Sequence, residues 1–491
     1  MFNFLDLPED ILLEICTYIG PQGLLALKQT CRVLHALGCT HHVWNQMMID
    51  FPLDLPLRAN KQALPALQIQ CAVIKALRLD YNWRTHSARI RQFKGAMCDN
   101  AVDQMQPLGS QWLITLSRSP SSTQISVWDV GGSRCSRIAS VETSTALRFS
   151  ADLYTQSKMV IAVIEHNDPR NEHLNVYSLC LTEGENERGP STGNLELCHS
   201  IFKPLSRGTF FDVHAYGCIV AAAVARFSGP TSPPAYEVVI VDTSTHRQWV
   251  FDPGFSLGVE RVRLKLSLNR IVLVGVEASK TLLIREFGLS SFFLLKKTYK
   301  LDNGTAVNSY IDRLPDGVDN TNLILLNYDA IQFPTEFDVH LSLESANGTS
   351  GFIPIVVFPS LVVPTGGLAY MIKFPLSPTT HNMEGMEELQ GTIQIPMQQF
   401  STSAKTSADI LCVGRTGYRA VWIQRRWDND EFEFMKTTFS SSDELVDVIP
   451  LLPKHTPLPF KSHACQSLAF DEASGRLYIS VHTGELFILD L

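Results

Sequence analysis

The apolar residues of this chain change period near Trp83. Before it, apolar residues recur at helical spacing; beyond it they alternate, and the alternation runs on to the last residue. A length of 491 residues exceeds what one hydrophobic core holds, and the two parts place their side chains on different lattices. The sequence therefore predicts a small all-α module at residues 1–50, a linker with a connecting helix at 51–86, and an all-β body at 87–491.

In the helical part, Pro8 stands where a first helical position belongs, with Glu9 and Asp10 in the turn where carboxylates complement the helix dipole. Ile11, Leu12, Ile15, Cys16 and Ile19 then fall within roughly a 140° arc at about 100° per residue, with Asp10, Glu14 and Thr17 opposite. Gly20 and Pro21 end this helix and open a second, through Leu24, Leu25, Leu27 and Cys31; a third, 32–37, stops at Gly38. About forty residues bury too little surface to stand alone, so a partner or neighbouring domain must complete the core. Leu13, Tyr18 and Leu25 lie off the main stripe and leave apolar surface over. After Pro52 and Pro56, helical spacing returns at 65–79 through Leu67, Ile69, Val73, Ile74, Leu77 and Leu79, with Cys71 at the core edge and Lys75 on the solvated face.

The body carries short apolar strands at 112–116, 125–129, 159–164, 218–223, 237–241, 270–275, 323–326, 410–414 and 477–481 between turn residues. Such density means a sandwich, several sandwiches or a propeller. The chain's end decides: 467–471, 477–481 and 485–490 are strand, strand and strand, and then the chain stops. Apolar groups near Leu113, Val160, Ile219, Val272, Ile324, Leu411 and Tyr478 give about seven such units. Their spacing exceeds the ~40–45 residues of a standard repeat, so the tracts 183–193, 228–235, 375–388 and 401–407 are expected as long loops. A three-stranded last unit needs a fourth strand to close the ring, and 87–94 is the expected donor.

Several functions are excluded. A net charge of -8 and a pI near 6.0 argue against nucleic acid and against an anionic membrane surface. The N-terminus lacks a basic region before its apolar residues, and the longest apolar runs, 218–225 and 352–363, are too short to span a bilayer. A soluble protein is expected. Eleven cysteines without a C-x-x-C pair fit reduced thiols in cytosol or nucleus. No phosphate-loop, dinucleotide, zincin or hydrolase motif occurs. The acidic stretch at 427–431 lacks the glycine of a calcium loop; Asn303 and Asn347 precede glycine as turn residues do; Cys39, His41 and His42, like His463 and Cys465, lack finger spacing. No metal, cofactor or catalytic residue is expected. A helix-turn-helix reader would need basic residues on its recognition helix, and only Lys28 and Arg32 are available.

The order Leu7-Pro8-Glu9-Asp10-Ile11-Leu12-Leu13-Glu14-Ile15, then Tyr18-Ile19, Gly20 to Leu25, Leu27, Thr30-Cys31-Arg32, Leu34 and Val43-Trp44 resembles an F-box. That resemblance implies a module that binds the small Skp adaptor of SCF-type ubiquitin ligases, and through it cullin and RING subunits. It places Leu7, Pro8, Ile11, Leu12, Ile15, Leu24, Leu27 and Leu34 at or beneath the adaptor surface, with Trp44 locking the last turn. The terminal strands, and Trp128-Asp129 at a strand end, resemble WD-repeat blades, while most units lack that family's Gly-His and Trp-Asp signatures. The pair implies a non-catalytic substrate receptor whose propeller captures a target protein. Arg415, Arg419, Arg425 and Arg426 are conceivable phosphate readers, with a solvated loop as their other reading. A propeller scaffold whose F-box-like helices work outside a ligase is the alternative, and a propeller enzyme with an accessory helical domain the third reading.

Overall fold

The structure, a computed structural model, describes residues 4–47, 49, 51–56, 61–84, 90–168, 171–181, 195–204, 208–227, 234–255, 259–267, 270–277, 281–289, 309–310, 321–327, 336–339, 352–358, 368–375, 397–401, 406–426, 428–439, 447–454 and 456–491. Four short helices open the chain: α1 (Glu9–Tyr18), α2 (Gly20–Leu27), α3 (Arg32–Leu37) and α4 (His41–Gln46). The first follows Pro8, and Gly20, at φ +72°, sets the second off from it in a conformation that side chains resist. The fourth helix was expected only from the resemblance, as the closing turn at Trp44, and not from periodicity. Its six residues are too few for a periodic signature, and it forms because Val43 and Trp44 enter the core. Helix α5 (Ala66–Arg84) runs five residues beyond the expected end at 79, burying Leu79 and Trp83 on the same face as Ile69, Val73 and Ala76.

Among the described residues the body is β-structure in seven sheets. Strand β1 (Gln92–Met97) comes first and is used last. Sheet 1 holds β2 (Val102–Leu108), β3 (Trp112–Arg118), β4 (Thr123–Asp129) and β5 (Ser136–Thr143), and sheet 2 holds β6 (Ala146–Thr155), β7 (Lys158–Asp168), β8 (Asn171–Cys180) and β9 (Glu196–Pro204). Sheet 3 holds β10 (Thr209–Tyr216), β11 (Ile219–Arg226), β12 (Ala235–Asp242) and β13 (Arg247–Phe251); sheet 4 begins with β14 (Val259–Leu266), β15 (Arg270–Glu277) and β16 (Thr281–Gly288). The two-residue strand β17 (Ser309–Tyr310) returns to pair in parallel with β13, and β18 (Thr321–Asn327) completes sheet 4. Sheet 5 is β19 (Glu336–Val339), β20 (Phe352–Phe358), β21 (Leu368–Pro375) and β22 (Met397–Ser401), and sheet 6 is β23 (Thr406–Val413), β24 (Arg419–Arg426), β25 (Phe432–Thr438) and β26 (Val448–Pro450). Sheet 7 is β27 (Cys465–Asp471), β28 (Arg476–Val481) and β29 (Glu485–Asp490), with β1 antiparallel to β29 as its outer strand.

First and last parts of the chain thus share one sheet. The pairing register runs from Gln92 against Asp490 to Met97 against Glu485; of the expected donor segment, 87–89 lie outside the described residues. Six sheets carry an apolar group expected from the sequence. Ile324 instead belongs to the outer strand of sheet 4, whereas sheet 5 is built around β20, where Pro354 pairs with Lys373. A proline in a central strand withholds a ladder donor, which is why 352–358 does not read as a strand. Of the expected loop tracts, 183–193 lies wholly outside the described residues and the other three mostly so.

Apolar clusters join sheet to sheet: Leu116 and Val127 with Phe149 and Ile161, Ala162 and Val176 with Val213 and Val224, and Leu113 and Trp128 with Tyr478 and Ile488. Polar side chains on the innermost strands add a second tie, each reaching the backbone of the next sheet. Gln104 and Gln106 bracket Phe149 and Ala151, Ser150 and Asp152 accept from Ala215 and Gly217, and Asp212 and His214 accept from Leu264 and Leu266. These bonds satisfy inner-strand groups that would otherwise face one another across sheets. The arrangement is propeller-like.

The candidate partner surface of the helical module

The module's core explains which apolar residues are left for a partner. Cys16, Leu24, Val43, Trp44 and Met47 pack with Ile69 and Val73, so α5 supplies the surface that four short helices lack. A smaller group, Leu12, Leu34 and Leu37, takes Leu7, Leu13 and Leu27 against its edge. Trp44 is fully buried and donates from Nε1 to the carbonyl of Gly38 at 2.8 Å. Lys28 lies along the same place: its Nζ donates to Gln70 Oε1 at 2.8 Å and sits 5.8 Å from the Trp44 ring. Its stem explains Gly38, since a Cβ there would come within 2.4 Å of Lys28 Cγ. The C-terminal carbonyls of α4 receive Lys61, whose Nζ donates to Asn45 and Met47 and whose pKa burial pushes down.

On α1 the wide apolar arc divides. Leu12 and Cys16 point into the core, with the Cys16 thiol pushed up by burial, while Ile11 is 45% and Tyr18 80% exposed. Ile11, Ile15 and Tyr18 follow one another at i, i+4 and i+7, with Ile19 beside them, so an apolar stripe, exposed at its ends and half-buried at Ile15, runs the length of the helix. Phe4 and Leu5 before it and Val33 on α3 are exposed as well.

The expected contact residues therefore separate by burial. Pro8 and Ile11 are exposed and Leu7, Ile15 and Leu27 partly so, whereas Leu12, Leu24, Leu34 and Trp44 are interior and can act only by shaping the surface. Leu13 and Leu25 also pack inward, leaving Tyr18 as the exposed member of the off-stripe residues. Phe4, Leu5 and Val33 were not singled out in the sequence, because isolated apolar residues at the ends of short helices carry no periodicity.

The other end of α5 is seated in the β-body. Leu79 and Trp83 join the cluster of sheets 6 and 7, Trp83 stacks on Phe470 at 4.9 Å and donates to Thr437 O at 3.1 Å, and a Cβ on Gly475 would meet Leu79 at 2.6 Å. Asp80 receives Arg419 Nη2 at 3.0 Å and Arg84 Nε at 2.9 Å. Arg419 is fully buried and also donates to Glu472 O at 2.8 Å. The Glu472 carboxylate accepts the backbone N–H of Thr416, Tyr418 and Arg419, and its pKa is raised by burial despite those bonds. Lys436, equally buried, donates to Asn82 O at 3.4 Å.

The four arginines considered as phosphate readers are not one site. Arg419 is locked beneath α5, Arg415 lies 3.7 Å from Asp152, and Arg425 and Arg426 pair with Asp430 at 2.7 Å and Glu433 at 3.4 Å. Among the described residues no three His, Cys, Asp or Glu side chains are arranged to hold a metal. Cys39 approaches His35 rather than a ligand set, and Trp427, Asn303 and Asn347 lie outside the described residues.

The family described as F-box-like matches residues 4–50. Among solved structures, the chain is similar to the WD40 domain of SCAP from fission yeast, at 8% identity and a TM-score of 0.42, over 79% of this chain and 82% of that one. It is also similar to the uncharacterized protein lmo1340 from Listeria monocytogenes EGD-e, at 7% identity and a TM-score of 0.42, over 80% and 93%. Neither superposition adds to what the order of strands already says. Residues 4–50 are an F-box-like domain, carried by an all-β body of antiparallel sheets in propeller-like order.

Proposed function

We propose that the chain is the substrate-recognition subunit of an SCF-type ubiquitin ligase, its helical module docking on the Skp adaptor and its β-body holding a target protein. The observation that carries this reading is the exposed Ile11, Tyr18 and Ile19, with the half-buried Ile15 between them, along the first helix of an F-box-like domain. A helix with one apolar face buried and a second facing water is built to enter a groove. Leu7, Pro8 and Leu27 extend that surface, and Leu12, Leu24, Leu34 and Trp44 hold it in shape.

The chemistry then belongs to the partners. The receptor raises the concentration of target lysines near the charged conjugating enzyme and needs no catalytic residue of its own. The seat of α5 favours one end of the β-body for the target. Asp80 and Leu79 meet the turns at 414–418 and 472–475, each between the first and second strand of its sheet. At the opposite end, the innermost strands of sheets 1, 2, 3, 4, 6 and 7 each carry a one-residue bulge near their start, at Asp103, Leu147, Phe211, Glu260, Asp409 and Gln466. Bulges re-aim side chains, and a ring of them gives a rim that α5 leaves open.

The test is co-purification of full-length protein with the Skp adaptor. Ile11→Asp should abolish capture while leaving the melting temperature within a degree or two; Leu7→Ala with Pro8→Ala should weaken it by on the order of 2 kcal/mol. If both variants stay folded and keep the adaptor, the proposal fails.

A further inference from the structure

We propose that a groove on the flank of sheet 7 is a second docking site, taking an extended acidic segment of a partner protein that adds as a strand to the free edge of β1. The groove encloses about 710 Å3 and is lined by Ile90, Phe93, Pro453, Pro457, Leu458 and Pro459, with Thr456 as its polar member. One wall is Phe93 of β1 with Ile90 just before it, and among the described residues β1 has a neighbouring strand on one side only. Gln92, Lys94 and Ala96 are in phase with Cys98, whose N–H donates to Gly484 O at 2.8 Å. Antiparallel alternation therefore turns the N–H and C=O groups of Phe93, Gly95 and Met97 away from β29, toward the open edge. The side chains divide the same way. Lys94 is buried, donating to Val130 O at 3.2 Å and Gly132 O at 2.6 Å, while Phe93, Gly95 and Met97 are exposed, Met97 at 65%.

Phe93 is held in place by Phe487 at 5.4 Å, and Phe487 stacks on Phe460 at 4.8 Å, so the apolar floor is a supported surface rather than one stray ring. Charge names the occupant. Arg91 and Lys454 are interleaved in sequence with the lining residues and Lys461 follows them; all three are exposed, and their side chains form no ion pair with a described residue. In a chain of net charge -8, three exposed cations within two residues of the groove's lining in sequence favour a segment that alternates carboxylates with apolar side chains. The site is separate from the stripe on α1, and its standing does not depend on the adaptor.

The test uses the full-length chain and a fluorescein-labelled octapeptide alternating aspartate with leucine and phenylalanine, read by anisotropy at low ionic strength. A counterpart with lysine at each aspartate is the control. The aspartate peptide should bind at least about ten-fold more tightly than the lysine peptide, and Lys454→Glu with Lys461→Glu should erase or reverse that preference. Met97→Pro should abolish binding with the fold intact, because it removes an outward N–H and no bond to β29. Equal binding of the two peptides, or binding unchanged in all variants at unchanged melting temperature, overturns the proposal. So does self-association of the wild-type chain, by light scattering, that Met97→Pro abolishes, since the edge would then belong to a second copy.

Discussion

Replacing Lys436 by Met should change how stability depends on pH. Lys436 is fully buried where α5 meets sheet 6, with Trp83 5.4 Å from its Nζ and the equally buried Arg419 nearby. Burial, reinforced by the Arg419 charge, pushes its pKa down from 10.5 to about 8. A depressed lysine penalises the charged form in the fold, and a shift of that size corresponds to about 3 kcal/mol at pH values below both constants. As pH rises from about 8 to about 10.5 the folded lysine loses its proton while the unfolded one keeps it. The unfolded state then binds more protons, so stability from this group rises with pH and is lost again as pH falls through 8. Met fills similar space and carries no charge. The free-energy difference between the variant and the wild type should therefore shrink by about 2–3 kcal/mol between pH 7 and pH 10, whatever constant offset packing adds. Urea unfolding of both proteins at unit pH intervals measures it, since every other titrating group cancels in the difference. A difference that stays flat across that range would refute the account of Lys436.

Two further perturbations probe the same architecture. Asp80→Ala leaves the buried Arg419 guanidinium without its carboxylate and should cost about 3 kcal/mol, whereas Arg84→Ala, on the exposed side of the same carboxylate, should cost less than about 1 kcal/mol in urea unfolding. A thiol reagent at pH 8 should label the exposed Cys39, Cys71 and Cys180 within minutes and spare Cys98 and Cys465, whose thiols burial pushes up to about 12. Labelling of Cys98 at the same rate as Cys71 would show that sheets 7 and 1 are not packed as described.

Periodicity made the division into helices and strands legible, because it records burial along one element. It could not say which edge of a wide apolar arc meets the core: Leu12 and Ile11 are equivalent by period, and the choice between them is made by Leu34 and Leu37, more than twenty residues away. The count of about seven units was right although one of its markers was not, since Ile324 extends sheet 4 and the proline in β20 disguised sheet 5. Least legible were the buried charges at the seat of α5. Asp80 lies 339 residues from Arg419 in the chain, with Lys436 and Glu472 further on, and each alone reads as a surface charge.

That seat bears on how the proposed receptor would work. Helix α5 belongs to two cores: Ile69 and Val73 complete the helical module, and ten residues on, Leu79 and Trp83 enter the β-body. A helix buried at both ends cannot hinge between them without emptying one core, and burial of a tryptophan alone represents about 3–5 kcal/mol. The first strands of sheets 6 and 7, β23 and β27, run eight and seven residues between the turns that meet α5 and the bulged rim, roughly 23–26 Å at the rise of a β-strand. A target held on that rim would be carried at a fixed offset from the module, so its lysines would be selected by where they lie on the target surface rather than by the sequence around them.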